Sequence, residues 1–124
     1  MEEYKILYSN DAIDDLRTIF HYYMSRTSNA SFANIVLSHI YKACDELSYF
    51  PSKYPLVSWP VWNKRGIRKK LYDKYYIFYI VDELKLQVTI TKIINTRQNV
   101  THMVCEPVSH YNKWLFSLFF RFFR

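Results

Sequence analysis

Hydrophobic and polar positions divide the first half of the chain into one short strand and two helices. Residues 4–8 alternate as in a strand, whereas apolar residues recur at helical spacing over 12–23 and again over 33–50. Ser28 or Asn29 can cap the second helix, because short polar side chains accept hydrogen bonds from free helical N–H groups. The short polar joint between the helices predicts an antiparallel helical hairpin.

The first helix begins with acidic side chains. Ser9 or Asn10 can serve as its N-cap, and we place Asp11, Asp14 and Asp15 in the first turn. Carboxylates are favoured there by the helix dipole. We therefore interpret the three aspartates as helix-start charges rather than as catalytic carboxylates.

Three prolines follow the second helix and predict that no helix forms over residues 50–61. This loop is rich in aromatic residues and poor in charge, so we expect it to lie against the body of the domain. Trp59 and Trp62 could stack on nucleic-acid bases. Packing over the edge of the core is the favoured interpretation, because large aromatic side chains gain most from burial.

The second half of the chain reads as three strands joined by tight turns. Residues 66–72 alternate, residues 75–81 are apolar on both faces and predict a central strand, and residues 86–95 alternate again. The pair Asp73-Lys74 fits a two-residue hairpin turn. These strands predict an antiparallel meander that the N-terminal strand is free to join. With both helices on one face, the fold class is α+β.

Residues 63–100 carry the whole charge excess of the protein. Nine basic residues minus three acidic ones give +6, and the full chain is also +6, from 17 minus 11. Alternation places Arg68 and Lys70 on one face of the first meander strand and Lys69 on the other. We expect Arg68, Lys70 and Arg97 to share one face of the meander, which suits a phosphate-bearing or acidic partner. The basic residues are Lys64, Arg65, Arg68, Lys69, Lys70, Lys74, Lys85, Lys92 and Arg97.

Length and composition restrict the class of protein further. A chain of 124 residues fits one domain with its own core. Cys44 and Cys105 have no metal-binding spacing and suit a reducing compartment. We see no signal peptide and no apolar run of the roughly 20 residues that span a bilayer. These features predict a cytoplasmic protein.

The order of strand, two helices and three-stranded meander resembles the RelE/ParE family of bacterial toxins. The resemblance is carried by YKILYSNDAIDDLRTIFHYY, by the helix ending LSYFP, by GIRKKLYDKYYIFYIVDE and by ITKIINTRQN. It covers about residues 4–100. We accordingly divide the chain into a toxin domain, 1–100, and a C-terminal extension, 101–124.

The family resemblance implies a toxin of a type II toxin–antitoxin pair, held inactive by a cognate antitoxin. RelE-like members are ribosome-dependent mRNA endonucleases, whereas ParE-like members poison DNA gyrase without cutting nucleic acid themselves. Cleavage by the RelE-like class uses the 2′-hydroxyl of RNA as nucleophile, so the resemblance implies no metal and no cofactor.

Four residues are candidates for RNA cleavage through this resemblance. Arg68 and Lys70 occupy positions comparable to the basic residues of the first meander strand in RelE-like enzymes, and Arg97 corresponds to an arginine near the end of the last strand. Tyr76 replaces an arginine of the RelE pattern, and the expected tyrosine beyond the last strand is absent. His102 is the nearest substitute, since its ordinary pKa of about 6.5 suits acid or base chemistry.

Lys64, Arg65, Lys69 and Lys74 are candidates for binding RNA or the ribosome. The same basic side chains could instead only solvate an open sheet face, or dock an acidic segment of the antitoxin without any chemistry. The leading hypothesis is a ribosome-dependent mRNA endonuclease. The alternatives are a non-enzymatic gyrase inhibitor and a degenerate member that only binds its antitoxin.

The extension departs from the family pattern. If residues 111–124 are helical, Lys113, Ser117, Arg121 and Arg124 form a narrow polar stripe, and the rest is apolar. So broad an apolar surface does not stay in water alone. It could pack on the sheet, receive the antitoxin or rest on a membrane surface.

Overall fold

The computed structural model describes residues 2–97, which form a four-stranded sheet with two long helices on one face. Two 3₁₀ turns, Glu46–Ser48 and Pro51–Lys53, follow the second helix. The elements are β1 Lys5–Tyr8, α1 Asn10–Thr27, α2 Ala30–Asp45, α3 Pro60–Lys64, β2 Ile67–Tyr72, β3 Tyr75–Asp82 and β4 Gln87–Asn95. The predicted α+β class and the order of its elements are confirmed.

The N-terminal strand joins the meander at its β4 edge. β1 pairs with β4 in parallel, whereas β2, β3 and β4 pair in antiparallel order, with β3 between the other two. Ser9, directly after β1, donates its hydroxyl to the Thr91 carbonyl 3.0 Å away and accepts from the Ala12 N–H. One side chain therefore caps α1 and ties its start to the last strand.

The helix starts follow the predicted caps, with one correction. Ser9 caps α1, and Asn29 caps α2 by accepting from the Phe32 N–H at 3.1 Å. Of the three aspartates that we placed in the first turn, only Asp11 lies there. Asp15 sits beyond it, and its carboxylate accepts from the Ile93 N–H at 2.9 Å. Asp15 therefore binds the free edge of β4 instead of stabilising the helix dipole.

The expectation that no helix forms over residues 50–61 is wrong. Pro51 opens a 3₁₀ turn and Pro60 is the first residue of α3. Proline is tolerated in the first turn of a helix, where its missing N–H would have no partner. The two-residue turn at Asp73-Lys74 does form, with Asp73 at φ 52°, a left-handed conformation that aspartate accepts more readily than most residues.

Each face of the sheet has its own apolar core. The helical hairpin packs on one face, where the buried residues include Leu16, Ile40, Ile77 and Ile90. The opposite face is covered by the loop and α3, and the core there consists of Val57, Trp62, Ile67, Phe78 and Ile94, with Trp59 packed beside them. Both tryptophans thus pack as core residues. Among residues 2–97, no helix combines the length and apolarity needed to cross a membrane.

Candidate functional site

Arg68 and Lys70 point to the face of β2 that lies under the helices, and both are bonded inside the protein. Their cross-strand partners, Tyr79 and Ile77, belong to the hairpin core. The guanidinium of Arg68 donates to the carbonyls of Ser52 and Tyr54 at 3.2 and 2.7 Å. These bonds attach the segment after α2 to the first meander strand.

Lys70 is only 5% exposed, and its ammonium group holds the end of α2. The Nζ atom donates to the Ala43 carbonyl at 2.7 Å and to Glu46 Oε1 at 3.0 Å. The hydrogen bond from Lys70 lowers the pKa of the Glu46 carboxyl group, and the charge of Lys70 adds to this. A phosphate would have to displace protein ligands to reach this ammonium group.

Lys69 lies on the opposite face of β2. Its Nζ atom stands 4.8 Å from the ring centre of Tyr76 and 5.9 Å from that of Trp59, within the range of cation–π attraction. β2 therefore directs Arg68 and Lys70 to one side and Lys69 to the other, as its alternation predicts. Strand alternation alone requires this division.

A cluster of hydroxyl and ammonium groups lies where the β2–β3 turn meets α1. The hydroxyls of Tyr23 and Tyr75 are 3.4 Å apart, and Lys74 Nζ stands 5.2 Å from the Tyr23 ring centre. Burial raises the pKa of Tyr23, but hydrogen bonds with Lys74 and Tyr75 and the lysine charge outweigh it. The pKa of Tyr23 therefore falls below its ordinary value of 10.0, while burial and the Tyr23 contact raise that of Tyr75.

A cavity of about 320 Å³ adjoins this cluster and contains Arg97. Its wall is formed by Asp15, Thr18, Ile19, Tyr22, Tyr75, Ile93, Asn95 and Arg97. The Arg97 N–H donates to the Asn95 side chain at 2.8 Å, which fixes the backbone as it leaves β4. Burial raises the pKa of Asp15, although Lys92, 3.7 Å away, opposes this. The cavity thus combines aromatic surface with one guanidinium, one amide and one carboxylate.

The structure separates five of the candidate residues into three places. Arg68 and Lys70 contact the segment after α2, Lys69 lies on the opposite face, and Lys74 and Arg97 stand near the β2–β3 turn. Lys64 is exposed at the end of α3, and Arg65 follows it, half-buried. His102 and the whole extension lie outside the described residues. The catalytic and binding roles of the eight residues stay predictions.

Sequence reasoning missed Tyr22, Tyr23 and Tyr75 as a group. They come from α1 and β3, and only the tertiary fold brings the end of α1 to the β2–β3 turn. The only signal in the sequence was a pair of adjacent tyrosines in each of the strings HYY and KYY. Among residues 2–97, no group of three or more His, Cys, Asp or Glu side chains could hold a metal ion.

The family model for the ParE toxin of the type II toxin–antitoxin system parDE matches residues 6–100. The chain belongs to this toxin family. The predicted RelE/ParE membership is thus confirmed, and with it the role of a toxin in a type II toxin–antitoxin system. Among curated proteins, no sequence matches the chain significantly.

Two solved structures resemble this chain in fold. The chromosomal ParDE toxin–antitoxin system of P. aeruginosa has a chain that superposes with a TM-score of 0.62 at 14% identity, covering 75% of this chain and 96% of that one. The toxin–antitoxin complex RelBE2 of Mycobacterium tuberculosis gives a TM-score of 0.53 at 18% identity, covering 77% of this chain and 93% of that one. At such identities the likeness concerns the fold alone.

Proposed function

We propose that this toxin acts by binding DNA gyrase and blocking it, without cutting RNA. ParE-like members of the family act in this way, and the family model that matches residues 6–100 is the ParE one. The observation that carries the proposal is the position of Lys70. A residue that must neutralise a reacting phosphate needs a free charge, whereas this ammonium is buried against Ala43 and Glu46.

Arg68 supports the same interpretation. Its guanidinium holds the carbonyls of Ser52 and Tyr54, so moving it toward a substrate would leave the loop after α2 without these bonds. A toxin that acts by protein–protein contact requires no free phosphate-binding pair on β2. It requires only a stable surface, which these internal bonds help to fix.

We also propose that a cognate antitoxin, encoded beside this toxin, neutralises it. Both solved structures named above are toxin–antitoxin systems or complexes. Exposed basic groups such as Lys64 and Arg97 would favour an antitoxin segment with acidic side chains. Cytoplasmic action follows from either target, since gyrase and ribosomes are both found there.

The second candidate is ribosome-dependent mRNA cleavage, which one specific observation favours. Tyr23 has a lowered pKa beside Lys74, and both adjoin the cavity that contains Arg97. RNA cleavage needs a base for the 2′-hydroxyl, a cation for the phosphate and an acid for the leaving oxygen. In this interpretation Tyr23 takes the proton of the 2′-hydroxyl, Arg97 and Lys74 supply the positive charge, and a water molecule protonates the leaving 5′-oxygen.

One pair of assays separates the two candidates. The toxin is expressed from a tightly controlled promoter while an SOS reporter and the 5′ ends of cellular transcripts are measured. Purified toxin is then added to a DNA supercoiling assay with bacterial gyrase, with topoisomerase I relaxation as the specificity control. The proposal expects SOS induction, lost supercoiling and intact mRNA. New cuts in translated mRNA with normal supercoiling would overturn it.

A matched pair of variants sharpens the distinction. Tyr23→Phe removes the hydroxyl whose pKa is lowered, and Tyr49→Phe makes the same change at an exposed tyrosine outside the cluster. Under the gyrase proposal both variants keep full toxicity. Under the RNA-cleavage candidate only Tyr23→Phe abolishes transcript cuts, because a phenyl ring cannot exchange a proton.

A further inference from the structure

Exposed aromatic and apolar side chains form a continuous path that begins where the described chain ends. Arg97 and Tyr22 line the same cavity, the rings of Tyr22 and Tyr23 are 5.1 Å apart, and those of Tyr23 and Phe32 are 5.7 Å apart. Ile35 follows Phe32 one helical turn later on α2. We call Tyr22, Phe32 and Ile35 the hairpin strip. Their exposures of 47%, 42% and 52% are high for such side chains.

Twenty-seven residues follow Arg97, and their sequence fits this surface. Eight of the last eleven residues, 114–124, are Trp, Leu or Phe. The sixteen residues before them, 98–113, span about 20 Å as a flexible chain and about 50 Å when extended. The segment 114–123 can therefore reach the whole hairpin strip. A short tether also holds it there at an effective concentration on the order of millimolar.

We propose that residues 114–123 of this chain dock on the hairpin strip of the same molecule, with aromatic side chains entering the cavity beside Arg97. A segment so rich in aromatic residues does not stay in water, and the strip is the apolar surface that begins at its point of attachment. The cavity of about 320 Å³ has room for a large side chain between Tyr22 and Tyr75.

The docked segment lies beyond the part of the chain that the family model matches. The family match ends at residue 100, and the two solved structures cover only 75% and 77% of the chain. The segment covers part of the α1 and α2 surface, so any partner that needs this surface has to displace it. The inference does not rest on the gyrase proposal; under the RNA-cleavage candidate, the docked segment would have to leave the cavity beside Arg97 before RNA could enter.

Site-specific photo-crosslinking of the full chain tests the proposal. p-Benzoylphenylalanine is placed at Ile35 and, as a matched control, at Leu84, which is 98% exposed in the β3–β4 turn at the other end of the sheet. The proposal expects a crosslink from position 35 to residues 114–124 within one molecule, at least about tenfold stronger than from position 84. Equal yields at the two positions would overturn it.

Two further conditions identify any other occupant. An intramolecular crosslink keeps its yield on tenfold dilution, whereas a crosslink between two copies declines and would refute the proposal. Vesicles of anionic phospholipid should leave the yield unchanged. If vesicles abolish the crosslink and bind the protein, the segment belongs to a lipid surface and the proposal is wrong.

A protease assay provides a second measurement that does not use an artificial residue. Docking should protect Lys113 and Arg121 from trypsin, and Ile35→Asp should speed cleavage there by about tenfold, because a carboxylate replaces apolar surface at the strip. Leu84→Asp, a similar change at another exposed position, should leave the rate unchanged. The proposal fails if Ile35→Asp and Leu84→Asp give the same rate.

Discussion

Replacing Lys70 with methionine tests whether this lysine stabilises the fold or serves the reaction. Methionine keeps an unbranched, flexible stem but removes the ammonium group. That group is buried and donates to the Ala43 carbonyl at 2.7 Å and to Glu46 Oε1 at 3.0 Å. The substitution therefore removes the charged donor to the Ala43 carbonyl in the last turn of α2.

The expected loss can be worked from the two bonds. A hydrogen bond from a charged donor to a buried carbonyl contributes about 1.5–3 kcal/mol. The Glu46 side chain is 61% exposed, so its ion pair with Lys70 adds no more than about 0.5 kcal/mol. The substitution also removes the free-energy cost of burying a charged ammonium group, which offsets part of this loss. We expect Lys70→Met to lower the free energy of unfolding by about 2 kcal/mol, or roughly 10 °C in Tm for a domain of this size.

Urea unfolding followed by circular dichroism measures this loss, with Glu46→Gln and the double variant completing a cycle. The coupling between the two positions should be no larger than about 0.5 kcal/mol. The pKa of Glu46 is below its ordinary value of 4.5, so this coupling is full above pH 4.5 and disappears as pH falls through the lower folded-state pKa. Growth inhibition by Lys70→Met should decline only with the folded fraction. Unchanged stability with abolished toxicity would refute the structural role.

Three other substitutions test the local arguments. Ser9→Ala removes two buried hydrogen bonds and should lower the free energy of unfolding by about 2–3 kcal/mol. Asn29→Ala removes only a helix cap and should lower it by about 1 kcal/mol. Equal losses in urea unfolding would contradict the bond between Ser9 and β4. Gly66→Ala should cost about 1 kcal/mol in urea unfolding, because φ is +77° and an added Cβ meets no atom within 4 Å; a much larger loss would reveal a clash. Tyr23→Phe should remove the earliest tyrosine ionisation in an alkaline absorbance titration. Because the folded-state pKa of Tyr23 is lowered, ionised Tyr23 stabilises the folded protein, so Tyr23→Phe should be more destabilising near pH 10.5 than at pH 7. An alkaline titration that is the same for both proteins would contradict the role of Lys74.

The fold was predictable because local pattern and tertiary structure agree along most of the chain. Ser9 and Asn29 are strong caps that begin the two helices, and Asp73-Lys74 closes the hairpin as expected. The parallel pairing of β1 with β4 did not follow from periodicity, because a four-residue strand carries no information on its partner. Helix over residues 50–61 was missed because proline is common both just after a helix and in the first turn of one, and Pro60 takes the second position.

The site was less predictable because the position of a charged side chain depends on what packs above it. Lys69 and Lys70 are neighbours in the sequence, yet one stands between Trp59 and Tyr76 and the other is buried under α2. The alternation of β2 predicts opposite faces but not which face a helix covers. Burial and bonding of Lys70 follow only once Glu46 and the end of α2 are in place.

The positive charge that remains available changes where a partner can bind. Arg68 and Lys70 contribute to the net charge of the meander, but Nη1 of Arg68 and the ammonium group of Lys70 donate inside the protein. Lys74 and Arg97 stand instead at the end of the sheet where α1 finishes and where the C-terminal segment leaves. A partner attracted to these cations would approach the same end that the docked segment occupies. The length and apolarity of that segment would then determine how accessible Lys74 and Arg97 are to a partner. The net charge of the chain alone does not reveal this.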